Sequence, residues 1–353
     1  MIQSFLIQFF REIIMEAQQQ KDEGLNPEQL LQMSFSYAPS SILSAAVELD
    51  IFSRIAAGNL SVEDIARAAG ASERGTEMLL DALVAFQLLG KNGGQYELTP
   101  LSAEFLVRDR PNYLGEMMQT VRSFEAWNHL AEIVRTGRPL QRVEAKEAAE
   151  SFFPALVRGL HIINSRLARR MAEILGAGTT HKGLSVVDVA CGSGVWGIGI
   201  AEADKDARVT AQDFPGLFET TKEFLKRHGV EDRYDFLPGD LKEVDFGENR
   251  YDVALLGNIV HSEGEASSRE LFQRLHRALK PGGRIVIIDM IPNDERTGPP
   301  FALIFALNML VNTEKGGTYT LEEYTRWLGD AGFQRVETAD IQSHSPLIIG
   351  YKA

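Results

Sequence analysis

A doubly wound α/β domain preceded by a smaller, mostly helical one is the fold class that this sequence predicts, on three observations. Residues 186–197 read VVDVACGSGVWG, an apolar run that ends in an acid and opens into glycines. Downstream of it, short runs rich in Val, Ile and Leu alternate with helical stretches, the pattern of a parallel sheet covered on both faces. Upstream, from Gln29 to about Leu106, the pattern is helical apart from one hairpin-like segment.

The elements follow in order. In the opening MIQSFLIQFFREIIMEAQQQ, Phe5, Phe9 and Ile13 recur at four-residue spacing, which predicts an amphipathic helix against a partner surface. Arg11 and Glu12 interrupt the apolar run well short of the ~20 residues that a membrane span needs, and no positive n-region marks a signal peptide. SVEDIARAAGASERGTEMLLDALVAFQLL reads as two helices joined by a Gly-containing turn, and KNGGQYELTP follows as a small hairpin. This is a winged-helix layout. DNA is not its expected partner, because residues 1–120 carry eight Lys and Arg against sixteen Asp and Glu, and the would-be recognition helix sets Arg74 among Glu73, Glu77 and Asp81.

Residues 113 to 176 are helical again and bridge to the glycine-rich part, so the expected domains are 1–112 and 113–353. The strands are then Leu184 to Val189, VTAQD, YDFLPGD, YDVALLGN and RIVIIDMI, the last fed by the turn KPGG. A helix is expected from Pro300 to Val311 and another from near Thr320. FQRVETADI and PLIIGYKA close the chain as a terminal hairpin, which gives five parallel strands plus an antiparallel pair.

Composition bounds the function. The 353 residues suffice for two cores, and 44% hydrophobic with 24% charged residues is ordinary for a soluble globular protein. A net charge of −13 with no local basic patch argues against nucleic acid and for small-molecule partners. Cys191 is the only cysteine, so no intrachain disulfide exists; the expected location is the cytoplasm. The seven histidines show no metal-ligand spacing, and no metal is expected.

The glycine-rich turn predicts a nucleotide-type site. Gly192 and Gly194 can take backbone angles closed to other residues, and the helix that follows offers free N–H groups. Asp213 ends the next strand 19 residues past Gly194, where an acid can accept from both ribose hydroxyls. Gly192, Gly194 and Gly197 also satisfy the dinucleotide fingerprint G-x-G-x-x-G, so a dehydrogenase remains an alternative. Asp188 favours S-adenosylmethionine: its carboxylate would repel a pyrophosphate and attract an ammonium.

Together DVACGSG, QDFPG, the PGDL turn, GNIVHS and LKPGGRIVIIDMIPND resemble the S-adenosylmethionine-dependent small-molecule O-methyltransferases with an N-terminal winged-helix dimerisation domain, over nearly the whole chain. The resemblance implies a Rossmann-like seven-stranded (class I) methyltransferase sheet and a homodimer. It sets Asp188, Gly192 and Gly194 at the methionine end of the cofactor, and Asp213 at the ribose with Phe214 beside it. Asp240 and Leu241 then face the adenine, Asn258 lies beside the adenine or sulfur, and Asn164 near the cofactor carboxylate.

The resemblance also implies His261 as the catalytic histidine, a neutral imidazole able to take a hydroxyl proton as general base. Asp289, at the end of the fifth strand, would orient it. Two departures stand out: HSEGEA replaces the Asp-Trp continuation of plant-type enzymes, and a glutamate expected near GGTYT is absent, with Tyr319 close by instead. Met118, Phe124, Trp127, Phe153, Phe305 and Met309 are candidates to line an acceptor pocket. The function expected is methyl transfer to a hydroxyl of a small aromatic or hydrophobic metabolite. Carbon or nitrogen methylation, a non-methylating hydroxylase-type relative and a ligand-sensing winged-helix regulator are the alternatives.

Overall fold

Serine and glycine punctuation shapes the N-terminal part of the computed structural model, which describes residues 26–120, 124–140, 146–343 and 345–353. The helix expected over the first twenty residues lies outside that range. Helices α1 (Glu28–Phe35), α2 (Tyr37–Glu48) and α3 (Ile51–Ala56) lead to α4 (Val62–Ala69) and α5 (Glu73–Ala85). Ser61 and Ser72 cap the last two by accepting from the backbone N–H groups of Asp64 and Gly75, and Gly70 ends α4 in the left-handed region. Strands β1 (Leu89–Asn92) and β2 (Gln95–Leu98) pair antiparallel across Gly93-Gly94, both at positive φ, as a two-residue hairpin requires. Asp81 of α5 accepts from Lys91 Nζ and Tyr96 Oη, each at 2.7 Å, and so ties the wing to its helix.

Helices α6 (Pro100–Phe105) and α7 (Gly115–Thr120) complete this unit. Leu114 N–H donates to Phe105 O, and Gln119 Nε2 donates to Ser44 O at 2.9 Å, so α7 stays with the winged part. The chain therefore divides into compact units at residue 122, ten residues beyond the boundary expected from sequence. Met118, a candidate pocket residue, packs against this unit's core of Ile51, Phe52, Leu80 and Tyr96.

The second unit starts with α8 (Phe124–Asn128), α9 (Leu130–Thr136) and the long α10 (Lys146–Ile174). Then β3 (Ser185–Val189), α11 (Val195–Ala203), β4 (Arg208–Asp213), α12 (Phe218–His228) and β5 (Tyr234–Pro238) build one half of the sheet. β6 (Tyr251–Gly257), α13 (Val260–Ala278), β7 (Leu279–Ile288), α14 (Pro300–Asn312), α15 (Leu321–Asp330), β8 (Arg335–Ala339) and β9 (Leu347–Tyr351) build the other. The seven-stranded order is β5-β4-β3-β6-β7-β9-β8. β9 inserts between β7 and β8 and runs antiparallel to both, so six strands share one direction and only β9 is reversed. The five strands β3–β7 run parallel and β8 with β9 forms the expected terminal antiparallel hairpin, whose strongly apolar LIIGY strand lies inside against β7 while RVETA takes the exposed rim.

Each central strand is apolar on both faces. Val186, Val209, Ala211, Val253 and Leu255 face the side covered by α10 and α11; Val187, Val189, Ala254 and Leu256 face α13 and α15. The crossing of α10 and α11 is close because position 199 is glycine: a Cβ there would lie 2.6 Å from Ala168 O. The crossing lays Val157 and His161, one turn apart, against the glycine-rich turn. Gly199→Ala should therefore destabilise the unit by ~1–3 kcal/mol through overpacking. Thermal unfolding checks this, and an unchanged Tm would contradict the close-crossing account.

Candidate active site

The carboxyl ends of β3, β4, β5, β6 and β7 bring the site together, as expected for an open parallel sheet. After β3 the chain turns sharply. Ala190 takes φ 49, Gly192 φ 55 and Gly194 φ 75, and Gly194 heads α11 without any side-chain cap, which leaves N–H groups of the first turn open. The left-handed alanine needs external support. It comes from Gln212, one residue before the end of β4, whose Oε1 accepts from Ala190 N–H at 3.1 Å while its main-chain oxygen accepts from Cys191 N–H.

Asp213 continues the same brace. Its Oδ2 accepts from Gly192 N–H and its Oδ1 from Phe214 N–H, both at 2.8 Å. On the other side, Gln212 Nε2 donates to Gly239 O at 2.7 Å and Gly239 N–H donates to Asp213 O, which fixes the turn after β5. Burial pushes the Asp213 carboxyl up to about 6 against the opposing pull of the two N–H donors. Asp188, 1% exposed, accepts from Gly197 N–H at 3.0 Å through Oδ2, whereas its Oδ1 has no partner. Burial, reinforced by Asp213, pushes Asp188 up to about 7.

These features fit a ligand with hydroxyl and ammonium donors. Asp188 keeps one unengaged buried oxygen, and each Asp213 oxygen retains acceptor capacity. At Gly192 a Cβ would lie 3.0 Å from Val157 of α10, so the turn is close-packed behind the position a ligand would take. Asp240 uses Oδ1 to hold Lys242 N–H, and Leu241 is buried in the cluster with Val187 and Leu256. Asn258 is left-handed, φ 59, with its N–H on Ile288 O. Asn164 is buried on α10, and Phe214 is 49% exposed. The Cys191 thiol, pushed up by burial and by the Asp213 and Asp188 carboxylates, lies 4.0 Å from Thr221 Oγ1.

At the ends of β6 and β7 stands a second constellation. His261, in the first turn of α13, places Nδ1 2.6 Å from Asp289 Oδ1, and its N–H donates to Asp289 Oδ2 at 3.0 Å. Met290 N–H and Tyr324 Oη also donate to that carboxylate, at 2.8 and 3.3 Å. Four donors on one buried carboxylate fix its direction. The Phe305 ring stands edge-to-face to His261 at 5.0 Å. Glu263 is turned to Ser267 and Lys242, and Gly317 N–H donates to His261 O. Tyr319 packs on Trp327 at 4.7 Å, with its hydroxyl pushed up to about 12 by burial and by Asp289.

Of the candidate pocket residues, Phe153 packs edge-to-face on Phe152, Trp127 is half-buried, Met309 is buried, and the Phe124 side chain lies outside the described set. Gln212 and Tyr324 were not singled out from the sequence. Gln212 carried one available signal, a polar residue inside an apolar strand, while Tyr324 had none. Among the described residues no cluster of His, Cys, Asp and Glu is arranged to hold a metal ion.

A winged-helix unit and a seven-stranded sheet, with buried acids and a His–Asp pair at the strand ends, are the architecture of a class I methyltransferase. Residues 127–334 match the O-methyltransferase domain family, and residues 31–108 match the O-methyltransferase dimerisation domain. The chain is 31% identical to the tetracenomycin polyketide synthesis 8-O-methyltransferase of Streptomyces glaucescens, over 92% of this chain and 97% of that one. It is 30% identical to the 3-hydroxy-5-methyl-1-naphthoate 3-O-methyltransferase of Streptomyces sahachiroi, over 88% and 91%. Human N-acetylserotonin methyltransferase, solved in complex with S-adenosylmethionine, superposes with a TM-score of 0.81 at 26% identity, covering 94% of this chain and 99% of that one. The chain belongs to the O-methyltransferase family with a dimerisation domain, and S-adenosylmethionine is its methyl donor.

Two outcomes follow from the cradle. Gln212→Leu leaves Ala190 N–H and Gly239 C=O unpaired, so KM for S-adenosylmethionine should rise about tenfold with kcat within about threefold; steady-state kinetics with an unchanged KM would contradict the brace. Asp188 and Asp213 are partly protonated below about 7 and about 6 and ionised above. A ligand ammonium favours the ionised forms, so binding should release protons at about pH 6.5 and tighten as pH rises through that window. Titration calorimetry in buffers of differing ionisation enthalpy reads the release; equal heats would contradict it.

Proposed function

We propose that this enzyme methylates a phenol-type hydroxyl of a small aromatic metabolite, with His261 as general base and Asp289 as its orienter, and that it works as a homodimer. The observation that carries the reading is the 2.6 Å contact between His261 Nδ1 and the fourfold-held Asp289 carboxylate. With its proton on Nδ1, the imidazole keeps a bare lone pair on Nε2. Relatives named for polyketide, naphthoate and acetylserotonin hydroxyls support an aromatic acceptor.

Bound S-adenosylmethionine supplies a sulfonium-activated methyl group. Asp188, Gly192 and Gly194 would hold its methionine end, with Asn164 near the carboxylate; Asp213 and Phe214 would hold the ribose, and Asp240, Leu241 and Asn258 would border the adenine. His261 takes the hydroxyl proton at Nε2 as the oxygen attacks. A phenol, with a pKa of about 10, keeps its proton at neutral pH, so proton removal accompanies attack. Asp289 stabilises the imidazolium that results, and the Phe305 ring beside His261 offers an aromatic wall that excludes water.

The dimerisation-domain match supports a second copy as partner, as do exposed apolar side chains in each unit, Leu30, Leu31, Met33 and Phe35 on α1 and Ile304 and Leu307 on α14. No described helix is long and apolar enough to cross a membrane; the cytoplasm is the proposed location. His261→Ala should lower kcat by ~10²–10⁴ on a hydroxyl substrate while S-adenosylhomocysteine affinity stays within about threefold. Turnover near the wild-type rate would contradict the base. Light scattering at micromolar concentration should give twice the chain mass, and a monomer would contradict the homodimer.

A further inference from the structure

The glycine-rich turn is fastened from behind by a chain of titratable side chains that methyl transfer does not use. Ser193, 3% exposed, lies between Gly192 and Gly194, and its Oγ is 3.1 Å from His161 Nδ1. His161, also 3% exposed, stacks on Phe224 at 3.7 Å and sets Nε2 3.1 Å from His228 Nε2. His228 ends α12, half-buried, with Nδ1 2.7 Å from Glu202 Oε1 on α11. Four residues from three helices and the turn thus run from the cofactor loop to the surface.

Tautomer logic gives the chain a direction. The His228 nitrogen that faces a carboxylate carries hydrogen. If His228 is neutral, its Nε2 is bare, His161 must donate from Nε2, and His161 Nδ1 then accepts from the Ser193 hydroxyl. If His228 is a cation, its Nε2–H donates to His161, which must carry its hydrogen on Nδ1 and donate to Ser193 Oγ. Both states leave His161 neutral, and they differ by one proton from solvent. Burial, with His228 and Arg227, pushes His161 down to about 3, in keeping with its neutral state.

We propose that Ser193, His161, His228 and Glu202 form a hydrogen-bond relay by which His161 positions the cofactor loop, and that one proton taken up at His228 reverses the relay and turns the Ser193 hydroxyl from donor to acceptor. The proposal rests on the reading of this loop as the S-adenosylmethionine cradle. The charged groups around it are Glu202 and Arg233, which donates to Ala201 O, on the α11 side; Arg158 of α10, paired with Glu223 of α12; Arg227 of α12; and, beyond the loop, the carboxyls of Asp188 and Asp213.

Long-range ¹H–¹⁵N NMR of the ¹⁵N-histidine-labelled full chain tests the relay, since histidine charge changes between about pH 5 and 8. His161 should stay neutral, with Nε2–H at the alkaline end and Nδ1–H at the acid end. Glu202→Gln should move the changeover to lower pH, and His228→Gln should abolish it. The S-adenosylhomocysteine affinity of wild type should differ in pH dependence from that of His228→Gln by at least about threefold across that range. One tautomer of His161 throughout in wild type, a changeover that survives in His228→Gln, or identical affinity profiles would overturn the proposal. Loss of all S-adenosylhomocysteine binding in folded wild type would instead sink the cradle reading, and the tautomer spectra would still decide the relay.

Discussion

The end of strand β4 is the constraint on which the rest of the site depends. Gln212 and Asp213 together hold the left-handed turn after β3 on one side and the turn after β5 on the other, through Ala190, Cys191, Gly192 and Gly239. An alanine at positive φ and an uncapped helix start are unfavourable alone. Anchored to a strand buried on both faces, they become a preformed cradle whose N–H groups and carboxylates point to one place. The cost is two buried acids near each other, with Asp188 and Asp213 both pushed up in pKa. A ligand that brings hydroxyls and an ammonium would offset that cost.

The neighbouring strands apply the same principle to the acceptor. Asp289 follows β7 and His261 follows β6, and the parallel sheet sets their ends side by side. The four donors on Asp289 come from α13, the chain after β7 and α15, so the orientation of the His261 ring is locked by three separate segments. Ser262 and Glu263, which depart from the plant-type continuation, take no part in that lock. Glu263 engages Ser267 and Lys242, while Tyr324 from the helix after Tyr319 donates to Asp289.

The sheet, its strand ends and the winged part were legible in the sequence because each rests on local chemistry. Valine-rich runs make buried strands, glycines make the turns, and an acid at a strand tip lies where ligands bind. His261 and Asp289 are adjacent in space by sheet geometry, which the strand order implied. What escaped depends on partners distant in sequence. Gln212 binds residues 22 and 27 positions away, and Tyr324 binds one 35 away. The terminal hairpin was legible too, as two short strands joined by a loop, but which of the two lies against β7 is set by their burial in the sheet. Likewise α7 looked like a linker helix until its contacts to Phe105 and Ser44 assigned it to the winged unit.

The most direct test of the cradle is the affinity of S-adenosylhomocysteine for the wild-type chain and for Asp213→Ala, with NADH as control. The account predicts one nucleoside site per chain, no NADH binding, and a loss of about 30-fold, equivalent to ~2 kcal/mol for charge-assisted hydrogen bonds, in the variant. Unchanged affinity in Asp213→Ala, or tight binding of NADH, would contradict it.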